Sequence, residues 1–203
     1  MAAARAPEII LPLPAKSDPV RHVRSTLLMS SYATVRELGH ADAYLAHLPA
    51  RHHPMIVDAV VGTWVPIEVA VAHYTACDTL ALSTEDQIAM GRRVGDRIQG
   101  TILGTVVRMA KEAGVSPLTV LPHWQRFWNR VFDGGGLYAN KLGPKEVEMG
   151  MRSVVLADCS YFRIAVRGLM MGLLDLFCRK SYVREQGPEK RRPGTGTFRI
   201  QWA

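Results

Sequence analysis

Ser83-Thr84-Glu85-Asp86-Gln87-Ile88 opens a run that keeps apolar residues at helical spacing as far as Ala113. Ser83 stands where an N-cap belongs, with Asp86 three residues on in the place usually taken by the Glu of a capping box. Glu85 and Asp86 fall in the first turn, where the helix dipole favours negative charge. Ile88, Val94, Ile98, Ile102, Val106 and Met109 mark one apolar face, and Gly114 followed by Pro117 marks the end. The run also holds Gly91, Gly95, Gly100 and Gly104. Each interior glycine costs a helix about 0.8–1 kcal/mol relative to alanine. Four such losses call for an offset, and a close approach by another backbone supplies one.

Composition bounds the rest. The chain has 203 residues, 48% hydrophobic and 21% charged, which suits one globular domain with a substantial core and excludes a disordered chain. Arg92, Arg93, Asp96 and Arg97 interrupt the glycine-rich run, so it is no membrane span. The net charge of +7 is dispersed, with Lys190-Arg191-Arg192 as its one dense run, and no nucleic-acid-binding motif accompanies it. Cys77, Cys159 and Cys178 are odd in number and lack metal-binding spacing, which fits a cytoplasmic protein with small buried cysteines.

Along the chain, residues 1–20 are rich in Ala and Pro and read as a flexible arm, with residues 8–13 apolar enough to add as an edge strand or dock on a protein partner. Residues 21–203 read as a single domain. Its first part is helical: Ser25 to Leu38, Ala41 to His47, Pro54 to Val61, a helix from Pro66 to about Leu80, the central run, and Leu118 to Phe132. Asp133-Gly134-Gly135-Gly136 reads as a flexible hinge. Strands follow at Leu137–Leu142 and Val147–Val154 around the turn Gly143-Pro144-Lys145. A long helix then covers Asp158–Lys180, apolar almost all round at Gly168–Leu174, and strands at Ser181–Glu185 and Thr197–Trp202 close the chain. The fold class is α+β: an N-terminal helical layer packed on an antiparallel sheet made of two hairpins around a buried helix.

The helix with Gly100-x-x-x-Gly104, the hairpin at Gly143-Pro144, the helix Arg167-Gly168-Leu169-x-x-Gly172 and the ending Thr197-Phe198-Arg199-Ile200-Gln201-Trp202 together resemble one fold. It is shared by haem-NO-binding domains, vinyl-reductase-type ligand-binding domains and the small TRAPP vesicle-tethering subunits. From Ser25 to Trp202 the chain is also similar to a paralogous family of myxobacterial proteins. Members carry a Gly-Trp-Tyr-Pro-like element before the glycine-rich helix; here it stands as Gly62-Thr63-Trp64-Val65-Pro66, with an inserted Thr and Val in place of Tyr. The resemblance implies three different things. Haem-NO-binding relatives hold haem through a helical His and a Tyr-x-Ser-x-Arg motif, and this sequence has Tyr182-Val183-Arg184 but not that motif. Vinyl-reductase-type relatives bind small hydrophobic molecules. TRAPP relatives are structural subunits that pair through their helices.

The chemistry-bearing residues form no recognisable catalytic set. His40, His47, His52, His53 and His73 lack the i,i+4 pairing with acidic company that a helical metal site needs. His73 and Cys77 are i,i+4 on one helix, with no acid placed to orient the base. Trp64, Trp124, Phe127, Trp128, Tyr138 and Phe162 are numerous enough to fill a core or to line a pocket. The expectation is therefore a non-enzymatic, self-associating module that senses a ligand or binds a partner. A small hydrophobic molecule would be held near Trp64, His73, Trp124 and Trp128, without haem or another cofactor. Gly95, Gly100, Gly104, Gly168 and Gly172 would form a dimer interface or a pocket wall. A structural subunit with a filled core and a partner-docking arm is the alternative.

Overall fold

Side chains alternate inward and outward along Glu146–Arg152, with Val147, Met149 and Met151 buried and Glu146, Glu148 and Arg152 turned outward. The same period of two runs through the strands beside it in the computed structural model, which describes residues 7–98 and 115–203. The strands are β1 (Glu8–Leu11), β2 (His22–Arg24), β3 (Trp64–Pro66), β4 (Phe132–Asp133), β5 (Gly136–Gly143), β6 (Glu146–Arg152), β7 (Ser181–Glu185) and β8 (Gly196–Trp202). One antiparallel sheet has the order β1-β5-β6-β8-β7, so the hairpins β5–β6 and β7–β8 meet along β6 and β8. Its covered face carries Leu137, Ala139, Val183, Phe198 and Ile200, and its open face carries Asn140, Arg184 and the Glu146–Arg199 ion pair.

The helices are α1 (Ser25–Glu37), α2 (Ala41–His47), α3 (Pro54–Val57), α4 (Ile67–Asp78), α5 (Thr84–Ile98), α6 (Pro117–Val120), α7 (Trp124–Val131) and α8 (Ser160–Leu174). The mixed α+β class and the paired hairpins agree with the sequence reading. Ser83 does cap α5: its Oγ accepts from the Asp86 N–H at 3.1 Å and donates to the Asp86 carboxylate at 2.8 Å. Asp in place of Glu thus closes the box through the Ser83 hydroxyl. The later part of the central run, with Gly100, Gly104 and Gly114, lies outside the described residues.

Helix α8 lies between the sheet and α5, and glycines set its distance from α5. An added Cβ at Gly91 would overlap the Ala165 carbonyl, and one at Gly168 would overlap the Ile88 carbonyl. Gly95 faces Leu169 and Gly172 faces Arg92. The three described members of the expected interface set, Gly95, Gly168 and Gly172, therefore face a contact inside one chain. The pair is pinned at one end by Arg92 and Asp175, 2.7 Å apart. Asp175 also accepts from the backbone N–H and the hydroxyl of Ser181, at 2.7 and 2.6 Å, tying the end of α8 to the start of β7.

Three expectations change. Glu8–Leu11, in the stretch read as a flexible arm that could add as an edge strand or dock on a partner, does add as an edge strand, pairing with this chain's own β5, and Leu11 is buried. The glycines at 134–136 form a packed turn: Gly134 and Gly135 have φ of +106° and +70°, and the Gly135 N–H donates to Asp18 O at 2.7 Å. Left-handed backbone against a neighbouring strand is the reason for glycine there, not mobility. The helix expected at Leu118–Phe132 is broken into α6, a 3-10 turn at Leu121–His123 and α7, because Pro122 cannot donate within it.

The glycine contact makes a sharp prediction. Gly91→Ala or Gly168→Ala must push two backbones apart and should cost about 2–3 kcal/mol or more in urea unfolding. At Gly172 an added Cβ meets its nearest atom at 3.5 Å, so Gly172→Ala should be neutral or stabilise by up to about 1 kcal/mol.

Candidate functional site: an apolar cavity with a polar string behind one wall

Between α5, α7, α8 and the sheet lies a cavity of about 130 Å³. Its described walls come from Gly91 and Val94 of α5, Trp124, Phe127 and Trp128 of α7, Met149 and Met151 of β6, and Ala165, Val166 and Leu169 of α8. Gly91 and Ala165 are small because α5 and α8 touch there, and this shortage of side-chain volume leaves space beside the contact. Trp128 is fixed twice. Its Nε1–H donates to Gly134 O at 2.7 Å, and its ring stacks on Phe132 with centroids 4.0 Å apart. The Gln125 side-chain carbonyl accepts from the Leu137 N–H at 2.8 Å, which docks α7 on β5.

Among the described residues, polar side chains reach this lining at few points. Arg130 is exposed on α7, and the hydroxyls are those of Ser31, Tyr74 and Tyr161. Tyr161 is placed by Asp78, the last residue of α4. The Asp78 carboxylate accepts from the N–H groups of Ser160 and Tyr161, at 3.1 and 2.5 Å, and so caps α8 from outside.

Behind Ser31 runs a buried string. The Tyr44 hydroxyl lies 2.6 Å from His73 Nδ1, and His73 Nε2 lies 2.9 Å from Ser31 Oγ. Tyr44 and His73 are each 0% exposed, so every polar hydrogen there needs an acceptor. If Nδ1 carried the proton, the Tyr44 hydrogen would have none. Tyr44 therefore donates to Nδ1, Nε2–H donates to Ser31, and the Ser31 hydrogen is left to point onward. Burial drives the His73 pKa down to about 3, so the ring is neutral at ordinary pH. Cys77 Sγ is 3.9 Å from Nε2, and burial raises its thiol pKa well above normal. A thiol held protonated beside a nitrogen already donating elsewhere is not an activated nucleophile.

The residues singled out from sequence separate into four places. Trp124, Phe127, Trp128 and Phe162 line the cavity together. His73 sits one layer behind the wall, reaching it through Ser31. Trp64 lies elsewhere, 40% exposed on β3 under the Arg24 guanidinium at 3.9 Å, beside a shallow surface hollow. Tyr138 is on the open face of the sheet, packed over Gly150. Sequence reasoning does not single out Met149, Met151, Ser31 or Tyr161. The alternation of β6 carries a signal for the two methionines; no local pattern marks the two hydroxyls.

Solved structures share this fold at low sequence identity. A haem protein studied for redox-potential modulation through porphyrin distortion matches 88% of this chain and 99% of its own, with TM-score 0.57 and 16% identity. An oxygen-binding H-NOX domain related to soluble guanylate cyclases matches 88% and 94%, with TM-score 0.56 and 15% identity. An unliganded Fe(II) H-NOX protein from K. algicida matches 89% and 96%, with TM-score 0.58 and 10% identity. The chain is H-NOX-like in fold. Neither the family models nor the curated proteins give a match.

The described lining of the cavity offers a haem iron no histidine or cysteine ligand. None of the seven histidines and none of the three cysteines of the sequence lines it, and His73, the nearest behind the wall, has both ring nitrogens engaged. Among the described residues no three His, Cys, Asp or Glu side chains converge as for a metal ion, and no helix is long and apolar enough to cross a membrane.

The neutral His73 sets a pH dependence. Its folded pKa of about 3 lies below the ordinary value of 6.5, so between them the unfolded chain binds a proton that the folded chain does not. Stability is complete above pH 6.5 and should fall by about 1.4 kcal/mol per pH unit as acid is added. Urea unfolding between about pH 7 and pH 4.5 should show this slope, and His73→Gln should flatten it from a lower plateau.

Proposed function

We propose that this H-NOX-like domain is a sensor for a small apolar molecule held without haem. The observation that carries this reading is the cavity itself, walled by tryptophan, phenylalanine and methionine and lacking a His or Cys to ligate iron. Its volume of about 130 Å³ approaches the roughly 150 Å³ of an engineered apolar cavity that takes up benzene. A single-ring molecule is therefore the right size. Met149, Met151 and Met170 make the wall adaptable, since an unbranched thioether adjusts to differing shapes. Residence beside Trp124 and Trp128 would alter α7, which the Trp128 bond to Gly134 joins to the chain around residues 18–20.

The neighbouring solved proteins are haem proteins by description, and their likeness supports the scaffold of this reading rather than its ligand. The structural-subunit alternative draws no support from the N-terminal segment, which is spent on this chain's own sheet edge.

Cumene tests the proposal. At about ten times its dissociation constant it should stabilise the fold by about 1.4 kcal/mol, seen as a rise in Tm of about 3–6 °C. Val166→Phe, which fills the cavity from α8, should abolish that rise while leaving a cooperative melt. No Tm change and no change in tryptophan fluorescence with cumene would sink the reading. A Soret band of a specifically ligated haem on titration with hemin would sink its haem-free part.

A further inference from the structure

The string behind the wall has a direction. Tyr44 donates to His73, and His73 donates to Ser31. The Ser31 hydroxyl is hydrogen-bonded with Tyr161, which lines the cavity. Tyr161 in turn directs its own hydrogen at the Met90 sulfur, 3.6 Å away. A thioether is a weak acceptor. Tyr161 is 1% exposed, so water does not compensate for the poor partner. The Tyr161 hydrogen thus ends at the wall of a largely apolar space without a strong acceptor, while the Ser31 hydroxyl is engaged by His73 and Tyr161. Nothing in the string accepts from the cavity and nothing carries charge.

We propose that the cavity selects an uncharged apolar molecule bearing one hydrogen-bond acceptor, of the ketone, aldehyde or ether class, gripped by the Tyr161 hydroxyl. This rests on the reading of the cavity as a ligand site and adds its specificity. A carboxylate of the same shape is rejected. Its charge would be desolvated with no buried cation beside it among the described residues, because His73 is neutral and Arg130 is exposed on α7. A hydrocarbon of the same shape enters but leaves the Tyr161 hydrogen on its weak acceptor.

Three ligands of one shape separate these cases: acetophenone, cumene and benzoate, each titrated calorimetrically into the wild-type protein. Acetophenone should bind about fivefold or more tighter than cumene, and benzoate should bind far more weakly than either. Tyr161→Phe should reduce the preference for acetophenone over cumene, and Ser31→Ala, which keeps the Tyr161 hydroxyl, should reduce it less. Equal affinity for acetophenone and cumene would overturn the selectivity and leave the apolar site standing. Binding of benzoate as tightly as acetophenone would also overturn it. Failure of all three ligands to bind would remove the site itself. The wild-type comparison decides the matter even if a variant does not fold.

Discussion

Ile88 and Ala165 present backbone carbonyls to glycines on the facing helix, and this mutual approach of α5 and α8 fixes much else. It lets α8 lie close under the sheet while α5 covers its other side. It aligns Arg92 with Asp175, whose carboxylate then sets the start of β7. It also concentrates small residues on both helices at one level. Close backbone packing and missing side-chain volume are two consequences of the same choice, and the cavity adjoins the contact. The helix-propensity loss at Gly91 and Gly168 is the local cost of that geometry.

How much of this is legible in the sequence depends on how local the signal is. The glycines, the capping pair at Ser83 and Asp86, and the alternation in Val147–Met151 each speak within a few residues, and each marks the right element. The small sheet β3-β2-β4 escapes the sequence reading because its strands are two or three residues long, too short for a period of two to show. Pro66 suits the first turn of a helix by type; it ends β3 opposite His22, and the helix starts one residue later. The glycines at 134–136 look like slack because their tight neighbours, Asp18 to Val20, are more than a hundred residues away in sequence.

The site is half legible for the same reason. Trp124 and Trp128 share a helix face, so their shared wall follows from spacing. Trp64 belongs to another surface, and only the pairing of β3 with β2 reveals it. Ser31, His73 and Tyr161 come from three helices, and no sequence interval relates them. His73 stands out as a histidine on an apolar helix face, but its meaning depends on Tyr44 beneath it and Ser31 above it. Protonation direction is a property of the whole string, and it emerges only when the fully buried end has been satisfied first.

An unfilled apolar space has its own energetic logic. Side chains that border such a space lack packing partners on that side and lose dispersion contacts there. Larger side chains at Val94 or Val166 could recover some of these without touching the helix contact, since neither is one of the glycine-facing positions that the contact constrains. The contact therefore explains the small residues at 91, 165 and 168 and the space beside them, but not why Val94 and Val166 leave the rest of the cavity unfilled. Aromatic rings also hold the walls from outside: Tyr74 meets Phe162 edge-on at 4.9 Å, and Phe132 stacks on Trp128. Walls braced in this way cannot collapse cheaply into the space they surround. An apolar cavity beside a Tyr161 hydroxyl that has only a thioether for an acceptor is matched by an occupant that restores dispersion and accepts a hydrogen bond together, which is the physical basis for regarding it as a site.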